Sequence, residues 1–275
     1  MPILAVAVIL GLIQGVGEFL PISSSGHLIL AQHLFGLTEP EMAFDVVLHL
    51  GTLTALFFFY RRPLIALCKE LQFLPGALVS PARMRALYQE RPDFQFGLQI
   101  VIASIPTAIV GLLFKKYLGP DMTSVLCVGL ALVATGVLLR LVGNRGQAGR
   151  DRLTLRDALL IGLIQGVAVI PGLSRSGWTI GAGLLLGLER ETAARFSFIL
   201  SIPAIIGATI LELRGDFDSV FAAGDFLAGF LTAALCGFLA LTLLRRVLIT
   251  GRLGAFSWWC WAVGGVALAS WVWAG

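Results

Sequence analysis

Apolar residues run along this chain in long stretches interrupted by polar clusters, and the length of each stretch limits what it can form. Six of them, near 43–60, 95–114, 122–141, 192–212, 222–244 and 254–273, reach the roughly 20 residues that a helix needs to cross the hydrocarbon core of a bilayer. Two more, 3–35 and 157–189, are broken at their middles by proline and a Ser/Gly cluster, at 21–26 and at 171–177. Non-helical backbone at membrane depth leaves N–H and C=O groups unpaired, and is tolerated only where protein or a wet cavity covers it. The pattern therefore predicts an all-α polytopic membrane protein with six transmembrane helices and two re-entrant helical hairpins, whose broken tips line a site. The N-terminal run lacks the basic start of a signal peptide and leads directly into the first break, so it is expected to stay in the fold.

The two broken stretches are copies of one another. Gly-Leu-Ile-Gln-Gly-Val at 11–16 recurs identically at 162–167, and at the same shift of 151 residues Ser23, Ser25 and Gly26 meet Ser174, Ser176 and Gly177. Nine identities in 17 positions exceed what shared hydrophobicity produces. Each half, about 1–145 and 155–275 of a single integral membrane domain spanning 1–275, reads as one hairpin followed by three spanning helices. An odd number of crossings turns the second copy upside down, which predicts an inverted-topology repeat.

Composition agrees with this reading. Hydrophobic residues make up 57% of the chain and charged ones 13%, against roughly 45–50% and about 25% in soluble domains, and the mean hydropathy is +0.91. The four cysteines (Cys68, Cys127, Cys236, Cys260) show no metal-binding spacing and are expected to be reduced packing residues. The net charge of +4 sits between apolar segments instead of forming a stripe, so it points to topology and not to nucleic acid. If both hairpins turn back, sixteen of the twenty Lys and Arg share one face, three (Lys115, Lys116, Arg214) lie on the other, and Arg175 falls inside the second break. The positive-inside rule makes the rich face cytoplasmic and opens the first hairpin to the exterior. Five of the six tryptophans come late (Trp258, Trp259, Trp261, Trp271, Trp273), as an interfacial belt would place them.

Candidate chemistry gathers at the breaks. Gln14 and Glu18 share one helix face, Leu20-Pro21 ends that helix, and Ser23, Ser24, Ser25, Gly26 and His27 open the next. Hydroxyls and free N–H groups at a helix start form an anion site. The second copy offers Ser174, Ser176 and Gly177, with Arg175 in place of Ser24 and Trp178 in place of His27. Arginine's planar fork suits phosphate oxygens. Each intramembrane charge costs at least about 2.5–3.5 kcal/mol, so a carboxylate, an imidazole and a guanidinium kept together imply function. The expected ligand is an anionic phosphate or diphosphate head group on a lipid-like molecule. Asp45 and His49 share a face at i, i+4 and either reach this site or satisfy one another. Ser104-Ile-Pro106 and Ser201-Ile-Pro203 read as helix kinks.

At these residues the chain resembles the undecaprenyl-diphosphatase family of bacitracin-resistance enzymes. Gln14-Gly-Val-Gly-Glu18 matches its (E/Q)xxxE element, Pro21-Ile-Ser-Ser-Ser-Gly-His27 its serine/histidine region, and Pro171-Gly-Leu-Ser-Arg-Ser-Gly177 its PGxSRSG motif. Similarity continues through Phe44-Asp-Val-Val-Leu-His-Leu-Gly51 and Glu191-Thr-Ala-Ala-Arg-Phe-Ser-Phe198. The resemblance implies hydrolysis of undecaprenyl diphosphate to the monophosphate carrier lipid at the outer side of the bacterial cytoplasmic membrane, in support of cell-wall synthesis. It also implies a divalent cation, Mg2+ or Ca2+, and a homodimer. Ser24 is then the expected nucleophile, with His27 as general acid or base. Arg175, Ser174 and Ser176 would bind phosphoryl oxygens, while Glu18 orients His27 or holds the cation. Metal-bound water on Glu18 and Gln14 is the competing mechanism, although Gln14 contributes no charge where many members carry glutamate. A lipid transporter or flippase using the same head-group site is the rival function, because inverted repeats with broken helices also build transporters.

Overall fold

The computed structural model describes residues 1–37, 41–118, 122–143, 145–146, 149–212 and 219–274. The basic residue expected at Arg214 lies outside them. The described residues form helices and no β-strand. The chain runs through α1 (Ile3–Phe19), α2 (Ser24–Leu34), α3 (Met42–Phe59), α4 (Arg61–Glu70), α5 (Leu74–Leu78), α6 (Pro81–Glu90), α7 (Pro92–Leu118), α8 (Val125–Val142), α9 (Leu155–Val167), α10 (Arg175–Leu185), α11 (Arg190–Glu212), α12 (Ala223–Thr250) and α13 (Phe256–Ala274). Among the described residues, six helical stretches are long and apolar enough to span a membrane, within Met42–Phe59, Pro92–Phe114, Val125–Val142, Arg190–Glu212, Ala223–Thr250 and Leu253–Trp273. These are the six expected from hydropathy, within a few residues at each end. Between α3 and α7 the basic stretch that separates the first two spans is itself helical, as α4 to α6. Pro81 stands at the first position of α6, where its missing N–H costs nothing, and Ser80 caps that helix by accepting the Arg83 N–H.

Each broken stretch is a helix, a short break and a second helix. Proline ends α1 by holding Leu20 extended (φ −66°, ψ 144°). Ser23 then caps α2 and Ser174 caps α10, each accepting the N–H three residues on, from Gly26 and Gly177. α2 folds back against α1, and α10 packs on α9. The helices continue through Pro106 and Pro203 without ending. Hydroxyls bond to carbonyls nearby, Ser104 to Ile100 at 2.8 Å and Ser201 to Phe198 at 2.7 Å.

Packing between the halves is reciprocal. α1 lies along α12 as α9 lies along α7, and α8 lies along α13. The glycines of the repeated hexapeptide make these crossings close. A Cβ on Gly11 would stand 2.6 Å from the Gly229 carbonyl oxygen, and one on Gly15 2.7 Å from that of Ala233. In the second copy a Cβ on Gly162 would stand 2.1 Å from the Ala103 oxygen, and Gly166 meets Val110. Small residues four apart let backbones approach where lipid supplies no hydrophobic drive between helices. The tips obey the same reciprocity, Gly26 on Gly172 and Gly177 on Pro21. Pro21 corresponds to Gly172 and Gly26 to Gly177 at the repeat shift, so each contact is the mirror of the other. Such paired contacts are the mark of a two-fold relation between the halves.

Where two broken helices meet in the interior, every freed backbone group needs a partner. Ser176 donates to the Leu20 carbonyl (3.4 Å), Cys260 to Pro21 (3.6 Å), Thr135 to Gly172 (3.2 Å) and Ser23 to Leu173 (3.5 Å). Ser23 is the knot. Its oxygen accepts N–H groups from both tips, Gly26 at 3.3 Å and Gly172 at 3.2 Å. It is also the one non-glycine among the described residues with positive φ, +71°, a conformation costing about 1–3 kcal/mol that such bonds hold in place. Cys260 packs as a free thiol, and the other three cysteines are free as well.

Candidate active site

Glu18, at the end of α1, is the centre around which the polar groups collect. Gln14, one turn earlier and fully buried, donates its amide to Oε2 at 3.1 Å. Ser24, at the start of α2, donates its hydroxyl to the same oxygen at 2.7 Å. Arg175, the first residue of α10, pairs with Oε1 across the two-fold. Glu18 is 8% exposed, so the pair lies away from water, where losing one partner costs about 3–5 kcal/mol. The Arg175 Nη1 and the Gln14 carbonyl oxygen, both buried, have no hydrogen-bond partner among the described residues.

Glu18, Ser24 and Arg175 border a cavity of about 200 Å³, which Gln14 does not reach. Ser23, Ser25, His49, Gln165 and Ser201 also line it, with Glu212 at the end of α11. Phosphate chemistry needs a hydroxyl, a proton acceptor and a cationic fork within one small space, and Ser24, Glu18 and Arg175 provide them.

The structure places the remaining residues named from sequence differently. His27 does not line this cavity. Its Nδ1 donates to the Ser23 carbonyl (2.8 Å), and its Nε2 accepts the Trp259 indole N–H (2.9 Å). The two bonds occupy both ring nitrogens in this arrangement. Ser174 and Ser176 are 1% exposed and bond to one another at 3.3 Å, closing the tip instead of facing the cavity. The N–H groups of Gly26 and Gly177 are spent on the caps.

His49 stands where His27 was expected. Its Nδ1 donates to the Asp45 carbonyl one turn back (2.7 Å), which fixes the tautomer. Its Nε2 is left 3.9 Å from Glu18 Oε2. Asp45 itself accepts from Gln32 at 2.8 Å, so the i, i+4 pair joins through backbone and not side chain. Helical spacing flagged His49; only the packing of α3 shows which way it turns.

A divalent cation takes six or more oxygens in this kind of chemistry. Glu18 is the carboxylate at the tips, and both its oxygens already accept from Arg175, Ser24 and Gln14. No group of three His, Cys, Asp or Glu side chains able to hold a metal occurs among the described residues. The oxygens of Glu18, Ser24 and Gln14 are fewer protein oxygens than a divalent cation held by side chains alone would take.

Fold and site together define a multi-pass membrane protein with a buried polar site at the meeting of two broken helices. The family model of the bacitracin resistance protein BacA matches residues 7–266, and the chain belongs to that family. It is 45% identical over 269 residues to the undecaprenyl-diphosphatase of Desulfosudis oleivorans, covering 95% of this chain and 96% of that one. The undecaprenyl-diphosphatase of Desulforapulum autotrophicum is 43% identical over 264 residues, with 95% and 96% covered. That of Methanosphaera stadtmanae is 38% identical over 265 residues, with 94% of each covered.

Proposed function

We propose that this chain hydrolyses undecaprenyl diphosphate to undecaprenyl phosphate and inorganic phosphate, returning the carrier lipid to cell-wall synthesis and conferring bacitracin resistance. The observation that carries the reading is the Ser24 hydroxyl on Glu18 beside Arg175. The relatives' names favour a hydrolase over a carrier that releases nothing.

In the first step Ser24 Oγ bonds to the terminal phosphorus while the bond from that phosphorus to the bridging oxygen breaks. The hydroxyl proton passes to Glu18 Oε2, at 2.7 Å, and undecaprenyl phosphate leaves. The second step is attack of water on the phosphoserine. One water proton goes to the free Nε2 of His49, the phosphorus–Oγ bond breaks as Glu18 returns its proton to Ser24, inorganic phosphate leaves, and His49 gives its proton to solvent. Arg175 Nη1, which has no protein partner among the described residues, takes a phosphoryl oxygen in both steps. No step needs a resident cation. By the charge rule the arginine-rich ends of the helices face the cytoplasm and the Glu212 end of the cavity faces the outer side of a bacterial inner membrane.

Purified protein in detergent, where no second compartment exists, is expected to release inorganic phosphate from undecaprenyl diphosphate. Folded protein that binds the lipid and releases none would overturn the reading in favour of a carrier. The two histidines separate as well. His49→Ala is expected to lower turnover by about 10²-fold, whereas Trp259→Phe, which frees His27 Nε2, leaves turnover within about threefold of wild type, since one exposed hydrogen bond contributes little. Steady-state phosphate release measures both, and the reverse ranking would return the proton-transfer role to His27.

A further inference from the structure

A second cavity, about 530 Å³ in volume, lies at the opposite end of α3 and α11 from the first. Tyr60, on its wall, follows His49 by eleven positions, which on a helix is about 16 Å. The cavity is therefore separate from the hydrolytic site. Its polar wall carries three arginines, Arg190, Arg195 and Arg245, and its apolar wall includes Phe198 and Leu248.

Two of the arginines have buried donors with no hydrogen-bond partner among the described residues. Arg190 is 8% exposed. Its Nε donates to the Arg145 carbonyl at 2.9 Å and its Nη1 to that of Leu248 at 3.4 Å, while Nη2 is buried without a partner among the described residues. Gly251 makes room for this guanidinium, because a Cβ there would stand 2.7 Å from Nη1. Arg195 lies over the Phe96 ring with its Nη2 3.8 Å from Asp93, and its Nε is buried and has no hydrogen-bond partner among the described residues. A buried charged donor left unpaired costs more than a neutral one, so an arrangement with two of them is one that an acceptor completes.

The acids nearby do not supply that acceptor. Glu189 accepts from the Thr192 hydroxyl at 2.9 Å, and Glu191 faces Arg245 at 3.9 Å with its side chain 78% exposed. Asp93 is held at 3.8 Å from Arg195 and Glu191 at 3.9 Å from Arg245, neither within hydrogen-bond reach, and the N-terminus of the 23-residue α11, which begins at Arg190, adds a positive field to the three guanidinium groups. Guanidinium forks match the spaced oxygens of a phosphate group. A half-apolar wall beside them suits the first carbons of a phosphorylated chain.

We propose that this cavity is a second phosphate-group site, in which Arg190, Arg195 and Arg245 hold a phosphate monoester of a lipid or free inorganic phosphate. Isothermal titration of the full-length protein in detergent, with inorganic phosphate and with farnesyl phosphate as probes, tests it. Arg175→Ala silences the hydrolytic site, and one binding event is expected to survive that change. Adding Arg195→Ala and Arg245→Ala is expected to weaken the surviving event at least tenfold, whereas adding Arg246→Ala, outside the cavity, leaves it in place. Arg195→Ala/Arg245→Ala in the otherwise unaltered protein keeps its diphosphatase turnover, which shows that the fold is intact. Should that protein not fold, Arg195→Lys/Arg245→Lys keeps the charge and removes the forks, and is expected to weaken binding by a smaller factor. Binding of both probes assigns the site to the phosphate group itself, and binding of farnesyl phosphate alone assigns it to a lipid head group. No event surviving Arg175→Ala, or one indifferent to Arg195 and Arg245, overturns the proposal without touching the hydrolytic reading.

Discussion

Glu18→Gln is expected to lower kcat by about 10²–10⁴-fold, the usual contribution of a positioned general base. The amide keeps the volume and still accepts from Ser24, but it cannot take the Ser24 proton. It also leaves Arg175 buried without its counter-charge, so the variant should lose about 3–5 kcal/mol of stability. The kinetic and structural effects must be separated by confirming a monodisperse, folded protein before turnover is read. Ser24→Ala is expected to reach a loss at least as large, because nothing else on the Glu18 oxygens is a nucleophile. The informative experiment is the pair. Residues that act as one unit give losses that do not add, so Glu18→Gln/Ser24→Ala should be no slower than the slower single variant. Phosphate release under substrate saturation measures all three. Losses that multiply would show that Ser24 and Glu18 serve separate steps, as they would if Ser24 only held substrate. Trapping labelled phosphate on the protein during turnover provides a second readout, expected for wild type and absent for Ser24→Ala.

The spans, the two breaks and the repeat were all legible in the sequence, because each is a local property of hydropathy, proline and spacing. Glu18, Ser24 and Arg175 were legible for a further reason: the repeat shift brings the two tips together, and an arginine at the position equivalent to Ser24 has to arrive beside the first tip. His27 and His49 show where local reading ends. His27 is three residues from Ser24, close enough to face the same ligand, yet its ring turns to Trp259, more than two hundred positions away. His49 reaches Glu18 only because α3 packs against α1 and α11, which no pattern within 42–59 specifies. The segment between α3 and α7 gave no helix signal for a different reason. Its helices are too short to signal a span, and the arginines and lysine of α4 and α6 mark only which side they occupy. Glycine was the quiet signal. The repeated hexapeptide looked like family resemblance between the halves, and the structure shows it to be a packing rule.

That rule gives the same substitution opposite signs at two helical glycines. Exchanging glycine for alanine inside a helix gains about 1 kcal/mol from propensity alone. Gly207 of α11 has no atom within 4 Å of where a Cβ would stand, so Gly207→Ala is expected to raise stability by about that amount. At Gly162 the added carbon would stand 2.1 Å from the Ala103 carbonyl oxygen, a backbone atom that cannot swing aside. Relief requires α9 and α7 to separate, and the Thr107 hydroxyl, which bridges Ala103 O at 2.9 Å and Gly162 O at 2.7 Å, would lose its place between them. Overpacking typically costs about 1–3 kcal/mol, occasionally more, and moving two backbones belongs to the upper end. Gly162→Ala should therefore lose at least about 2 kcal/mol net of its propensity gain. Because α9 leads into the tip that carries Arg175, turnover should fall with it. Thermal unfolding in detergent of the two variants beside wild type measures the contrast. Equal Tm shifts at positions 162 and 207 would mean that the close crossing of the halves does not hold the fold together, and the reciprocal packing would lose its energetic meaning.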